Sequence, residues 1–348
     1  MRHSDIYLWL RCVKLLPEEG KNMFFSDDYF NREVICNFEV SEMMKRAWAA
    51  QIEVLQIVID VCKKHNLQYF ADWGTLLGAV RHNGFIPWDD DIDICLKRDD
   101  YNKLISILKD ELPKGFAIMG MFADTEEMRL AAEVTHLRVV ADDSWNFNDY
   151  MRYFHGFPYQ RVGIDIFPID YIPNNTSEAE LQKEIVKQGL FVLGQWDNLK
   201  KKGELDECLH RYLDMCNIYP QGEKDIKNWL WKLVDRICSL YSYADGNYMV
   251  NYPACILEHE YKMKKEWYDD AIEMPFENIT IAVPIGYDGV LKAQFGDYMT
   301  PVQGTADHAY PFYKDMQREL GIRIKKSGFN GSVEEFCREV SEGKIQIR

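Results

Sequence analysis

Several enzyme signatures are missing from this chain: it has no CxxC pair, no HExxH, no GxSxG elbow, and neither GxGxxG nor a Walker-type GxxxxGK run. Serine hydrolase, zinc enzyme, Rossmann dehydrogenase and P-loop ATPase all lose support. Nine cysteines, an odd number, lie scattered without the spacing of a zinc module or a disulfide framework, which predicts a reduced, cytoplasmic chain. No window holds the roughly 18 consecutive apolar residues that a membrane span needs. Positive charge is also in short supply: 41 Lys and Arg against 56 Asp and Glu leave a formal net charge of -15. That balance argues against non-specific binding to DNA or RNA, whose phosphates are gripped by clustered basic side chains. It leaves room for a small anionic ligand met by metal ions, backbone N–H groups and a few local cations.

What is present is enough for a sizeable core, since 348 residues carry 47% hydrophobic and 14% aromatic side chains. At the start, Ile6, Trp9, Leu10 and Val13 recur at helical spacing, but Arg11 and Lys14 break the apolar run. A signal peptide is therefore not expected, and residues 6–16 read as a packing helix or as a peripheral contact at the inner face of a membrane. A long helix is predicted from Glu42 to His65, capped by Ser41, with Met44, Trp48, Leu55, Val58, Ile59 and Cys62 as its apolar stripe. Strands are predicted at 67–72, 92–96, 116–121, 137–141 and 162–169, with a short helix at 75–81 and another opening at Asp99 or Asp100. Ser177 and Glu180 form an expected capping box for a helical middle third, and strand character returns at 274–284 before a last helix ended by Gly296. The expected organisation is a helical extension at 1–40, a core at 41–175, a helical insertion at 176–245, a return to the core at 246–310 and a tail at 311–348.

The densest chemistry lies in residues 72–101, DWGTLLGAVRHNGFIPWDDDIDICLKRDDY. On an extended segment, side chains two apart share a face, so Asp89, Asp91 and Asp93 are expected together while Asp90 turns away. Three carboxylates on one face repel and lose hydration, which a hard divalent cation such as Mg²⁺, or Mn²⁺, relieves. Gly74 and Thr75 are predicted at a strand-to-helix turn, where a missing Cβ and a helix N-terminus suit a phosphate. Arg81 and His82 are the nearest phosphate partners, and Trp73 and Trp88 either stack on a base or sugar or pack the core. Asp170 reads as a turn or capping residue.

Hydrophobic, Gly, Ser or Thr, followed some fifteen residues on by Asp91-Ile92-Asp93-Ile94, resembles the nucleotidyltransferase superfamily. The run Gly74, Thr75, Leu76, Leu77, Gly78, Ala79, Arg81, Gly84, Phe85, Pro87, Trp88, Asp89, Asp91, Ile92, Asp93 is most similar to the LicD family, which includes the fukutin-type proteins. IDIFPIDYIP at 164–173 resembles that family's second block and PFENITIAVPIGYDGVLKAQFGDYM at 275–299 its third; His308 resembles a histidine placed after it. The resemblance implies an α+β fold, with a nucleotidyltransferase-like mixed sheet flanked by helices and an α-helical insertion. It implies a third acid on a neighbouring strand, for which Asp165 is the candidate.

The resemblance further implies Mg²⁺- or Mn²⁺-dependent transfer of a phosphorylated alcohol, phosphocholine from CDP-choline in the bacterial type, to a hydroxyl of a glycan or teichoic acid precursor, with CMP released. The expected partners are a CDP-alcohol donor and a glycan or lipid-linked glycan acceptor. Asp91 and Asp93 are assigned to the metal, Asp165 to its shell or to the acceptor hydroxyl, and Asp89 to a second metal or to the base. The aromatic segment from Trp145 to Phe157 is a candidate wall for a choline-like cation. Two alternatives stand beside this reading: an enzyme moving NMP from an NTP with release of pyrophosphate, and a non-catalytic nucleotide- or glycan-binding protein.

Overall fold

A computed structural model describes residues 23–130, 136–303 and 310–347. The expected N-terminal helix at 6–16 and His308 lie outside the described residues. A small hairpin, β1 (Glu33–Ile35) and β2 (Phe38–Val40), leads into the long helix α1 (Glu42–Lys64), whose Ser41 side chain accepts the Met44 N–H as expected of its cap. The helix is more enclosed than its stripe predicts, for Lys45, Arg46, Gln51 and Glu53 are buried with the apolar residues.

The chain then alternates strand and helix: β3 (Tyr69–Ala71), α2 (Trp73–His82), β4 (Asp93–Lys97), α3 (Arg98–Glu111), β5 (Phe116–Met119), α4 (Glu126–Leu130), β6 (Leu137–Ala141), α5 (Phe147–Tyr153) and β7 (Gly163–Ile172). The mixed sheet has the order β3-β4-β7-β6-β5, with β4 parallel to β7 and the other pairs antiparallel. The far end of β7 also pairs with β8 (Tyr248–Val250), which pairs with β9 (Met263–Lys264). This is an α+β fold with a mixed sheet flanked by helices. Ile94, Cys95, Leu96, Ile164, Ile166, Leu137 and Val139 are buried in its centre.

The middle third is helical: α6 (Thr176–Gly194), α7 (Trp196–Lys202), α8 (Leu205–Cys216) and α9 (Ile226–Cys238). Its first cap is not the expected Ser177 box; Asn175 accepts the N–H groups of Ser177 and Glu178. A longer Asx side chain two positions upstream reaches the orphan donors first. After α10 (Tyr252–Leu257), the hairpin β10 (Ala271–Phe276) and β11 (Ile279–Pro284) packs beside β3, where the Tyr69 hydroxyl accepts the Ala282 N–H. Helix α11 (Tyr287–Phe295) stops at Gly296, whose φ of 68° favours glycine.

The last segment is not a tail. Helices α12 (Gln317–Ser327) and α13 (Val333–Ser341) bury Leu320, Ile324, Phe336, Cys337 and Val340, and Ser332 with Glu335 closes a capping box on α13. Among the described residues no helix is long and apolar enough to cross a membrane.

Candidate functional site

The parallel register of β4 and β7 sets Asp93 directly opposite Asp165, and the antiparallel register of β6 and β7 sets Arg138 opposite the same Asp165. Residues paired across strands share a face. One row over three strands therefore reads Asp93, Asp165, Arg138. His136, just before β6, closes the row: its Nε2 is 2.7 Å from Asp165 Oδ1, and Arg138 Nε is 2.6 Å from the same oxygen.

Asp89, Asp90 and Asp91 lie on an irregular loop, because β4 begins only at Asp93. The loop is held from behind. Trp48 Nε1 donates to the Asp89 carbonyl at 3.0 Å, Gln51 Nε2 donates to the Asp90 carbonyl at 2.7 Å, and the Asp165 N–H donates to the Ile92 carbonyl at 2.9 Å. The Thr75 hydroxyl is buried and accepts the Asp93 N–H at 2.8 Å. Thr75 thus fixes the start of the acid strand.

Gly74 lies inside the first turn of α2, and the turn itself falls at Asp72 and Trp73. Trp73 has a φ of 43°, a left-handed conformation that costs a bulky L-residue about 1–2 kcal/mol. Asp72 Oδ1 secures it by accepting the Trp73 N–H at 3.0 Å and Gln294 Nε2 at 2.9 Å. A β-carbon at Gly74 would collide with Asp89 Oδ2, so the glycine is what lets that carboxylate close on the helix N-terminus.

The charges are unbalanced on one side and balanced on the other. Burial first, then Asp91, push the Asp89 carboxyl well above the usual range. Burial does the same to Asp93, reinforced by Asp91, Asp165 and Asp89. Burial also works against an ionised Asp165, but Arg138 and His136 outweigh it and hold that carboxyl below its ordinary value. Asp89, Asp90 and Asp91 each bring a carboxylate oxygen within 4.8 Å of the others. Two oxygens at about 2.1 Å from one hard cation lie at most about 4.2 Å apart, so this oxygen-only donor set suits Mg²⁺ or Mn²⁺ once the widest pair draws in by up to about 0.6 Å.

All of these acids line one cleft of about 1400 Å³. Its walls carry Trp73, Trp88, Phe167, Phe295 and Phe312, and its basic groups are His136, Arg138, Arg161 and His259. Of the residues expected there, Gly74, Asp89, Asp91, Asp93 and Asp165 line it, with Thr75 directly behind. Arg81 and His82 do not: they end α2, where Arg81 donates to the Tyr298 carbonyl at 2.7 Å and to His82 Nε2 at 3.0 Å. A ten-residue helix carries its last turn away from its N-terminus.

Asp90 is also placed differently, because the strand alternation that would turn it away does not extend to an irregular loop. Its carboxylate accepts the Phe312 N–H, latching the segment before α12 to the acid loop. The aromatic segment around α5 is core rather than wall: Tyr150, Phe154 and Phe157 are fully buried, and the Trp145 indole donates to the Gly115 carbonyl. Asp170 is no turn residue either. It is buried within β7 and takes two 2.7 Å bonds from Arg98, which also donates to Asp235 on α9 at 2.8 Å. His136, Arg138 and Gln51 went unnoticed in the sequence; Arg138 leaves a trace as a lone cation in the apolar run Leu137–Ala141.

A parallel strand pair that gathers acids beside a helix N-terminus, within a mixed sheet flanked by helices, defines a nucleotidyltransferase-like domain. Residues 66–184 match the family described as "LicD/FKTN/FKRP, nucleotidyltransferase domain". The chain thus carries a LicD-family domain over these residues. It is 24% identical over 257 residues to the lipopolysaccharide cholinephosphotransferase LicD of Haemophilus influenzae, covering 71% of this chain and 88% of that protein. It is 42% identical over 104 residues to an uncharacterised protein of Rickettsia typhi, 30% of this chain and 31% of that one. A shorter match, 38% over 48 residues, relates it to the human ribitol 5-phosphate transferase FKRP, 14% of this chain and 10% of that protein.

Proposed function

We propose that this chain transfers a phosphorylated alcohol from a CDP-activated donor to a hydroxyl of a cell-surface glycan or its lipid-linked or teichoic acid precursor, releasing CMP. The observation that carries this reading is the convergence of Asp89, Asp91, Asp93 and Asp165 on one cleft with Arg138 on the next strand. Such a site faces a diphosphate with both of the things it needs, a place for a divalent cation and a fixed guanidinium. Mg²⁺ or Mn²⁺, when bound, neutralises the diphosphate and stabilises the departing CMP.

The chain's own groups bind and orient. Asp91 and Asp93 hold the cation together with Asp89 or Asp165. Arg138 and His136 keep Asp165 ionised and aimed, and the N-terminus of α2 at Gly74 adds positive dipole charge at the same place. The acceptor hydroxyl gives its proton to a carboxylate of this patch. Phosphocholine is the proposed head group, because the Haemophilus relative is a cholinephosphotransferase and half-buried Trp73 and Trp88 offer π faces within the cleft.

The test is to incubate the protein with Mg²⁺, a mixed glycan acceptor and a panel of CDP-choline, CDP-ribitol, CDP-glycerol and NTPs, and to identify the released nucleotide. CMP from CDP-choline is expected. Pyrophosphate from an NTP would replace this reading with NMP transfer, and no turnover with any donor would leave a binding protein.

A further inference from the structure

Helix α1 sends two polar groups into the acid loop, one turn apart. Trp48 holds the Asp89 carbonyl and Gln51 the Asp90 carbonyl, so neighbouring backbone oxygens of the loop are each tied to the same rigid helix. The two residues differ in what they have left over. An indole has one donor and nothing more, whereas a side-chain amide also carries an acceptor oxygen.

Chemistry dictates which way that amide points. The Asp90 carbonyl can only accept, so Nε2 must face it and Oε1 must face elsewhere. Gln51 is 2% exposed, it lines the cleft beside Asp89, Asp90 and Asp91, and among the described residues its Oε1 has no hydrogen-bond partner. Buried carbonyl oxygens are rarely left without a donor, so this one marks the place of a group from outside the chain. The group must bring a donor, because Oε1 would repel a bare phosphate oxygen. Next to three carboxylates it must also bring positive charge. Water carried by a divalent cation meets both requirements, since its O–H groups are polarised donors.

We propose that Gln51 is a positioning residue of the cation site: its Nε2 fixes the acid loop through the Asp90 carbonyl, and its Oε1 accepts a hydrogen bond from water carried by the cation. The proposal rests on the reading that Asp89, Asp91 and their neighbours hold a divalent cation. It explains why this buried position of α1 carries an acceptor oxygen as well as the donor that holds the Asp90 carbonyl.

The test uses Mn²⁺ alone, titrated into the full-length protein and followed by the electron paramagnetic resonance of the free ion, with unfolding temperature measured in parallel. Mn²⁺ brings no substrate hydroxyl, so a donor of that kind cannot stand in for the bound water. Gln51→Met is expected to weaken Mn²⁺ binding about tenfold, the size of effect that outer-sphere partners of a metal site exert. Trp48→Phe, which removes the other loop support but no acceptor oxygen, is expected to lower the unfolding temperature and leave Mn²⁺ affinity nearly unchanged.

Equal losses in the two variants would reduce Gln51 to loop support and overturn the proposal, as would full affinity in Gln51→Met. Should Gln51→Met not fold, Gln51→Glu serves instead: a carboxylate at that place is expected to tighten Mn²⁺, and unchanged or weaker binding overturns the proposal. A wild-type protein that binds no Mn²⁺ at all would instead overturn the cation reading itself.

Discussion

The two ends of the β4–β7 strand pair carry the same kinds of residue and treat them in opposite ways. At one end Asp93 faces Asp165 with Asp89, Asp90 and Asp91 close by. At the other, Arg98, just past β4, meets Asp170 of β7 through two parallel bonds and Asp235 through a third. There burial opposes the guanidinium's charge and the two carboxylates more than restore it. The second end is complete within the protein and joins the sheet to the helical middle third. The first is left with surplus negative charge, which a fold tolerates only where something else is to arrive.

Substitutions should separate the two ends, with the largest effect at the open one. Asp91→Asn and Asp93→Asn are expected to lower turnover by about a thousandfold or more in the nucleotide-release assay, the loss expected when a main electrostatic element of a transition state goes. Neither should unfold the protein, because each removes repulsion. Retained turnover in both would dissolve the contrast. At the closed end, Arg98→Met leaves Asp170 buried and unpaired, and urea unfolding should show a loss of about 3–5 kcal/mol. A loss below that range would mean that the triad is a weak joint.

Cation binding offers a milder probe of the same difference. Mg²⁺ at a hundred times its dissociation constant should stabilise the fold by about 2.7 kcal/mol. The rise in unfolding temperature should vanish in Asp91→Asn and persist in a variant of the closed end that still folds. Trp145→Ala, in the packed aromatic segment, should cost about 2 kcal/mol of stability while leaving the preference among CDP-alcohols unchanged, measured by calorimetry with each donor. The smallest effect is expected from Arg81→Gln, which loses the bonds to the Tyr298 carbonyl and to His82 Nε2 at a half-exposed site, about 0.5–1.5 kcal/mol in all, and should not alter donor binding.

The open end was the more legible of the two in sequence. Closely spaced acids after a glycine turn leave a local pattern, and the β strand that carries Asp93 followed from alternation alone. The closed end left none: Asp170 looked like a turn residue because its partners Arg98 and Asp235 come from distant parts of the chain. The same limit hid His136 and Arg138, whose meaning depends on β6 lying beside β7. It also hid the loss of regular strand geometry at Asp90, and it turned the aromatic run at 145–157 into a supposed wall for a cation when its rings fill the core. The Ser41 cap and the apolar stripe of α1 are legible because their partners lie within a turn or two, whereas at α6 the choice between Ser177 and Asn175 as cap is not.

The register of β4 against β7 acts as a vernier for the whole site. Sliding either strand by one residue would send Asp93 or Asp165 to the opposite side of the sheet, with an isoleucine taking its place. Insertions or deletions inside β4, β7 or β6, which carries Arg138 into the same row, are thus forbidden to any active descendant of this chain, whereas the loops that join the elements between them can change length. A designer wishing to retarget the enzyme should therefore splice only in the joining loops, and leave the frame of β4, β6 and β7 untouched.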